Sequence, residues 1–143
     1  MYTLSELLVD DIAICVNYVT DEYCKRTGKA TGDVDIISAS IELADNRVKV
    51  TDSSGKVVGV ICWDYDRKVV RLISYFVAEG YRRSEVLYLI SKQIEGAVKD
   101  CSKVVYKELY PNMVLPRVAK PGGTVDKDKY LARLKLLESK WSN

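Results

Sequence analysis

Between residues 69 and 109 the chain changes its hydrophobic period twice, and this change constrains the fold more than any other feature. Residues 69–77 (VVRLISYFV) are rich in Val, Ile and aromatics, the composition of a strand. Gly80 interrupts the run. Val86, Ile90, Ile94, Ala97 and Val98 then recur at helical spacing, marking one amphipathic helix. Residues 104–109 (VVYKEL) then read as a buried strand beyond the helix. Strand, helix and strand of this length imply a parallel pair joined by a right-handed crossover.

Upstream, residues 47–51 and 56–63 are also rich in Val, Ile and aromatics. Residues 52–55 (DSSG) and 64–66 (DYD) separate the three runs and have turn composition, so the three make an antiparallel meander. Residues 2–8 read as an opening strand. Asp10 suits the N-cap of a helix that places Ile12, Cys15, Val16, Val19 and Tyr23 on one face. After a polar loop, Asp33 can cap a second short helix through Ile36, Ile37, Ser40, Ile41 and Ala44. The C-terminal segment is open between two readings. Tyr130, Leu134, Leu137 and Trp141 fit a helix, whereas Tyr130, Ala132, Leu134 and Leu136 alternate as in a strand. With no repeat or linker, residues 1–143 read as a single α/β (α+β) domain. Its central sheet is mixed and mostly antiparallel, with helices on both faces.

Composition narrows the chemistry. The chain has no histidine, which removes Ser-His-Asp and Cys-His catalysis and imidazole-bound zinc. Cys15, Cys24, Cys62 and Cys101 form no C-x-x-C pair and are expected to be reduced thiols with no metal. No apolar run reaches the ~20 residues of a membrane span, so the chain reads as cytoplasmic. Charge is divided unevenly: residues 1–66 hold 12 acids and 6 bases, residues 67–143 hold 8 acids and 16 bases. A basic C-terminal half points to an anionic partner such as a phosphorylated cofactor, or else to solvated helix faces. The bases alternate with acids and show no stacking-aromatic pattern, which disfavours nucleic acid.

The stretch from Arg71 to Leu87 (RLISYFVAEGYRRSEVL) resembles the central motif of the GNAT superfamily of acyl-CoA-dependent N-acetyltransferases. In that motif an apolar strand ends in Val, and a turn, an aromatic and Q/R-x-x-G-x-G/A open a helix. Val77, Tyr81 and Arg82 stand at the Val, aromatic and Q/R positions. Residues 55–63 (GKVVGVICW) resemble the preceding strand, and Asn112 and Gly123 are spaced like a segment after the fifth strand. The resemblance spans roughly residues 2 to 123, and the chain's compact, divergent form is similar to that of bacteriophage members.

The resemblance implies a transferase that moves an acetyl group from acetyl-CoA to an amine acceptor, a small molecule or a protein. It implies cofactor contacts from Phe76, Val77, Arg82, Arg83, Ser84, Glu85, Val86, Leu87 and Asn112. The physical logic is plain: a helix N-terminus with free N–H groups suits a pyrophosphate, arginine adds charge-assisted hydrogen bonds, and the strand end offers backbone groups to the pantetheine arm. Two departures stand out. Glu85 and Leu87 occupy the two signature glycine positions, setting a negative charge and bulk where a phosphate would approach. The family's usual tyrosine position is Ala119, leaving Tyr75 and Tyr110 as candidate catalytic proton donors. Asp64, Asp66 and Glu79 are candidate bases. Arg82, Arg83 and Ser84 therefore either hold an anion or simply cap and solvate a helix. The alternative function is a catalytically inactive fold of this kind, serving as a structural or protein-interaction protein, with a homodimer or assembly partner left open.

Overall fold

The computed structural model describes residues 1–32, 34–106 and 117–142. The chain opens with β1 (Thr3–Glu6), a single 3-10 turn (Val9–Asp11), α1 (Ile12–Thr27) and α2 (Val34–Leu43). The meander follows as β2 (Asn46–Thr51), β3 (Val57–Asp66) and β4 (Val69–Val77). Next come α3 (Glu85–Lys92), α4 (Glu95–Asp100) and β5 (Lys103–Tyr106), then β6 (Ala119–Lys120), β7 (Thr124–Val125) and α5 (Lys127–Trp141).

These strands form one seven-stranded sheet in the order β1-β2-β3-β4-β5-β7-β6. Every described pairing is antiparallel except β4 with β5, which runs parallel from Val69 opposite Lys103 to Leu72 opposite Tyr106. The expected crossover is thus present, and the fold class is the one read from the sequence. Residues 107–109 of the expected fifth strand lie outside the described residues, as does Asp33.

Two cores sandwich the sheet. On one face α1 and α2 bury Ile12, Cys15, Val16, Ile37 and Ile41 against Val60, Cys62 and Phe76. On the other, α3, α4 and α5 bury Val86, Leu87, Ile90, Ile94, Tyr130 and Leu134 against Ile61, Leu72, Tyr75 and Val77. A bulge in β4 makes the second core possible. Ser74 pairs with Cys62 and Leu72 with Trp63, so Ile73 is an extra residue that resets the alternation. Leu72, Tyr75 and Val77 consequently face α3, while Phe76 faces α1. Gly59 sets how closely α3 can lie on β3. A Cβ there would stand 2.8 Å from Val86 Cγ1 and 3.0 Å from Ile90 Cγ1.

Three local expectations are corrected, and the choice left open at the C terminus is settled. Asp10 does not cap α1; the Asp11 carboxylate accepts from the Leu8 N–H at 2.8 Å and starts a 3-10 turn. Residues 64–66 are strand, not turn. The reversal falls at Arg67 and Lys68, both at positive φ (52° and 65°). The Lys68 carbonyl accepts from the Ser102 N–H (2.7 Å) and hydroxyl (2.9 Å), and Lys68 Nζ meets Asp100 at 2.8 Å. Tertiary contacts thus hold a turn that local composition would not choose. The central helix is two helices, broken at Gln93 and Ile94. Its turn tightens to an i→i+3 bond from the Gln93 N–H to the Ile90 carbonyl, just before Gly96 lowers helix propensity. The C-terminal segment is helical, capped by the Asp126 carboxylate on the Lys129 N–H at 3.0 Å.

Cys15, Cys62 and Cys101 are buried free thiols, and Cys24 is an exposed one. Burial pushes the Cys15 thiol up to about 12. No helix among the described residues is long and apolar enough to cross a membrane.

Candidate functional site

The site begins where β4 ends. The Ala78 N–H still bonds the Val58 carbonyl at 2.8 Å, and Gly80, at φ 90°, then reverses the chain as its missing Cβ permits. The turn is anchored at two points. The Tyr81 hydroxyl donates to Asp52 at 2.9 Å, fastening the turn to the β2–β3 hairpin. Arg82 reaches back across the sheet end: its Nε donates to the Val77 carbonyl (3.2 Å) and its Nη2 to the Tyr18 hydroxyl (2.8 Å). Glu22 lies 3.8 Å from the same guanidinium. Tyr18 in turn donates to the Val77 carbonyl at 2.9 Å and stacks on Phe76 at 4.1 Å. Arg82 and the Val77 carbonyl are therefore engaged with α1 and with each other.

Ser84 is the N-cap of α3. Its hydroxyl accepts from the Val86 N–H at 3.2 Å and donates to the Tyr81 carbonyl at 2.6 Å. The cap thereby uses one of the amides that would otherwise face a ligand. Glu85 is half-buried in the first turn, and Leu87 is 6% exposed, packed into the core beneath α5. Val86, read as a cofactor contact, points instead toward Gly59 and is fully buried.

A cleft of about 620 Å³ opens beside this helix start, between α3 and α5. Arg82, Arg83, Arg117, Arg133 and Lys140 line it together with Trp141, and among the described residues no acidic side chain does. Arg82 is already paired, whereas among the described residues no carboxylate pairs with the other four. Like charges converging on one concavity raise the local potential and favour an anion. Arg117, Arg133 and Lys140 are not singled out by the sequence, and Trp141 is marked there only as a packing residue. The signal that could have found them was the seven-residue spacing of Arg133 and Lys140, legible only once the segment is known to be a helix.

Tyr75 lies behind the cleft. Its hydroxyl is 2.6 Å from Ser91 Oγ and 3.5 Å from the Tyr130 hydroxyl, which donates to the Ser91 carbonyl at 2.7 Å. Burial raises the Tyr75 phenol above its ordinary value. Leu87, Leu137 and Arg133 separate this network from the cleft, leaving a gap of only about 10 Å³. Among the candidate bases, Asp64 accepts from the Asp45 N–H at 2.7 Å, Asp66 ends β3 in solvent beside Arg67, and Glu79 is exposed. Tyr110 and Asn112 lie outside the described residues. Among the described residues, no group of three His, Cys, Asp or Glu side chains is placed to hold a metal ion.

Solved structures share this fold. A GNAT-family acetyltransferase from Staphylococcus aureus Mu50 superposes with a TM-score of 0.55 at 13% identity, over 74% of this chain and 72% of that one. A protein described as a possible acetyltransferase from Clostridium difficile 630 gives 0.56 at 17% identity, over 75% and 79%. A ribosomal-protein-alanine N-acetyltransferase from Brucella melitensis gives 0.54 at 15% identity, over 73% and 72%. At these identities the likeness is one of fold. No protein-family model and no curated protein matches the chain.

Proposed function

We propose that the chain is an N-acetyltransferase that takes an acetyl group from acetyl-CoA to an amine acceptor and holds the cofactor's phosphates in the basic cleft. The observation that carries this reading is the convergence on one cleft, beside the start of α3, of four cations that no carboxylate among the described residues pairs with: Arg83, Arg117, Arg133 and Lys140, in a fold shared with acetyltransferases. The cleft suits phosphates gripped by side chains. It does not suit phosphates laid against the helix amides, because Ser84 caps one, Glu85 adds negative charge and Leu87 fills the helix flank.

When bound, the cofactor supplies an acetyl thioester already activated toward amines. Arg83, Arg117, Arg133 and Lys140 would hold it through charge-assisted hydrogen bonds. Arg82 acts elsewhere. By fastening Val77 to Tyr18 it fixes the strand end from which the turn departs. Within this reading the Tyr75 hydroxyl is not the proton donor, because it is committed to Ser91 and Tyr130 inside the core, and Tyr110 is the candidate that stays.

Thermal denaturation with acetyl-CoA tests the proposal. Ligand at about 100 times its Kd stabilises by about 2.7 kcal/mol, which at about 3 °C per kcal/mol is a rise of roughly 8 °C. Arg83→Ala and Arg117→Ala should each reduce that rise without altering the ligand-free Tm. The burial of Leu87 at a position the resemblance gives to a small residue favours a second reading, an inactive fold used for structural or protein interaction. Absence of any shift at millimolar acetyl-CoA would overturn the first reading and leave the second.

A further inference from the structure

Helix α2 is apolar on two sides. Ile37 and Ile41 are buried against the sheet. Ile36, Ala39 and Leu43 recur at i, i+3 and i+7 on the outer side, where Ile36 is 53% exposed and Leu43 78%. A helix that is apolar all round is ordinarily covered all round. The charges beside this outer face have one sign. Asp35 and Glu42 are exposed on it, and residues 30–46 hold four acids and no base.

Helix α5 presents the opposite combination. Leu136, 72% exposed, and the exposed Ala132 share its outer face, flanked by the exposed Lys129 and Lys135. Among the described residues no carboxylate forms an ion pair with either lysine. Each face therefore sets large apolar side chains beside an alanine, which lets a second helix axis come close, and each carries the charge that the other lacks. Two α2 faces would juxtapose like charges, and so would two α5 faces. The helices lie on opposite sides of the sheet, so the two faces cannot meet within one copy.

We infer that the chain associates with itself head to tail, the outer face of α2 in one copy seating on the outer face of α5 in the next. The faces point away from each other, so each contact leaves one of each kind free. The contact is heterologous, and it propagates into an open row or closes as a ring. One helix laid on another buries less than the about 1,200 Å² of a standard interface, so the association is weak. It is also sensitive to salt. The inference goes beyond the acetyl-CoA reading and holds with or without it.

Sedimentation velocity on the full chain tests this, without acetyl-CoA because Leu136 also lines the cleft. At about 0.01 M salt the average mass should at least double between about 10 µM and about 1 mM protein. Raising the salt to about 0.15 M shortens the Debye length from ~30 Å to ~8 Å and should lower that mass. Two variants each spoil one face: Ile36→Gln with Leu43→Gln removes the apolar surface of α2, and Leu136→Glu sets a like charge against Asp35 and Glu42. All three side chains are exposed, so both variants should keep the wild-type Tm, and each alone should stay monomeric. Mixed in equal amounts they retain one good α2 face and one good α5 face, and should form a dimer that grows no further. A wild type that stays monomeric at about 1 mM would overturn the inference. So would either variant assembling like wild type, or a mixture of the two that stays monomeric.

Discussion

Replacing Gly59 with alanine adds one carbon at the point where β3 and α3 come closest. That carbon would stand 2.8 Å from Val86 Cγ1 and 3.0 Å from Ile90 Cγ1, against the ~3.5–4.0 Å at which carbon pairs attract. Neither neighbour can easily yield. Both are fully buried, and a valine in a helix has one strongly preferred χ1 rotamer. The strain must therefore lift α3 or distort the strand, at a cost of about 1–3 kcal/mol. Alanine's lower conformational entropy in the unfolded chain offsets about 0.5–1 kcal/mol of this. The net loss centres on about 1 kcal/mol, or roughly 3–4 °C in Tm. Scanning fluorimetry measures it directly, and a double-mutant cycle with Val86→Ala tests the cause. Removing Cγ1 should relieve the clash, so the double variant should be more stable than the two single losses predict, by about 1 kcal/mol. A Gly59→Ala protein as stable as wild type, or losses additive within about 0.3–0.5 kcal/mol, would refute the close-approach argument.

Two further outcomes follow from hydrogen-bonded groups. Tyr130→Phe leaves the Ser91 carbonyl without the buried hydroxyl that donates to it at 2.7 Å. It should cost about 1–3 kcal/mol, seen as a lower urea midpoint at unchanged m; an unchanged midpoint would mean the bond is not formed. The Asp52 carboxylate accepts from the Ser54 hydroxyl and N–H, the Lys56 N–H and the Tyr81 hydroxyl. The Ser54 hydroxyl bond leads in holding its pKa down to about 2, from 3.8. A depressed folded-state pKa gives stability that is complete above pH about 4 and is lost as pH falls through about 2. Asp52→Asn should therefore flatten the Tm profile between those values, and parallel acid profiles for the two proteins would refute the assignment.

What the sequence revealed depended on whether local pattern and tertiary packing agreed. The β4–β5 crossover was legible because an apolar run, a glycine and a helical stripe stand in succession. The Arg67–Lys68 reversal was not, because neither residue favours positive φ and the restraining groups, Ser102 and Asp100, come from more than thirty residues away. Asp64 and Asp66 have turn composition but stand in β3, so composition puts the turn in the wrong place. The stripe from Val86 to Val98 continues in phase across the break at Gln93 and Ile94, so apolar spacing alone could not expose it. At the C terminus both periods fit until packing is known. Burial of Tyr130 and Leu134, with Leu136 outside, settles the choice for a helix. The candidate site divides along the same line. Its α3 side was visible as a motif, while its α5 side depends on which face that helix presents.

Leu87 links these two halves. A small residue there would open the flank of α3 to an approaching phosphate, but it would also leave a void beneath α5. Leu87 belongs to the core that holds Tyr130 and Leu134. Removing a buried leucine side chain costs about 2–5 kcal/mol, and a glycine within a helix costs about 1 kcal/mol more relative to alanine. That sum is a large share of the ~5–15 kcal/mol by which a domain of this kind is stable. The leucine and the C-terminal helix are therefore mutually dependent: the helix needs an apolar surface to pack on, and the leucine needs the helix to cover it. Once that packing is in place, backbone amides at the start of α3 are no longer the accessible donors. The side chains that line the cleft, Arg133 and Lys140 from α5 together with Arg83 and Arg117, are the groups left to meet an anion.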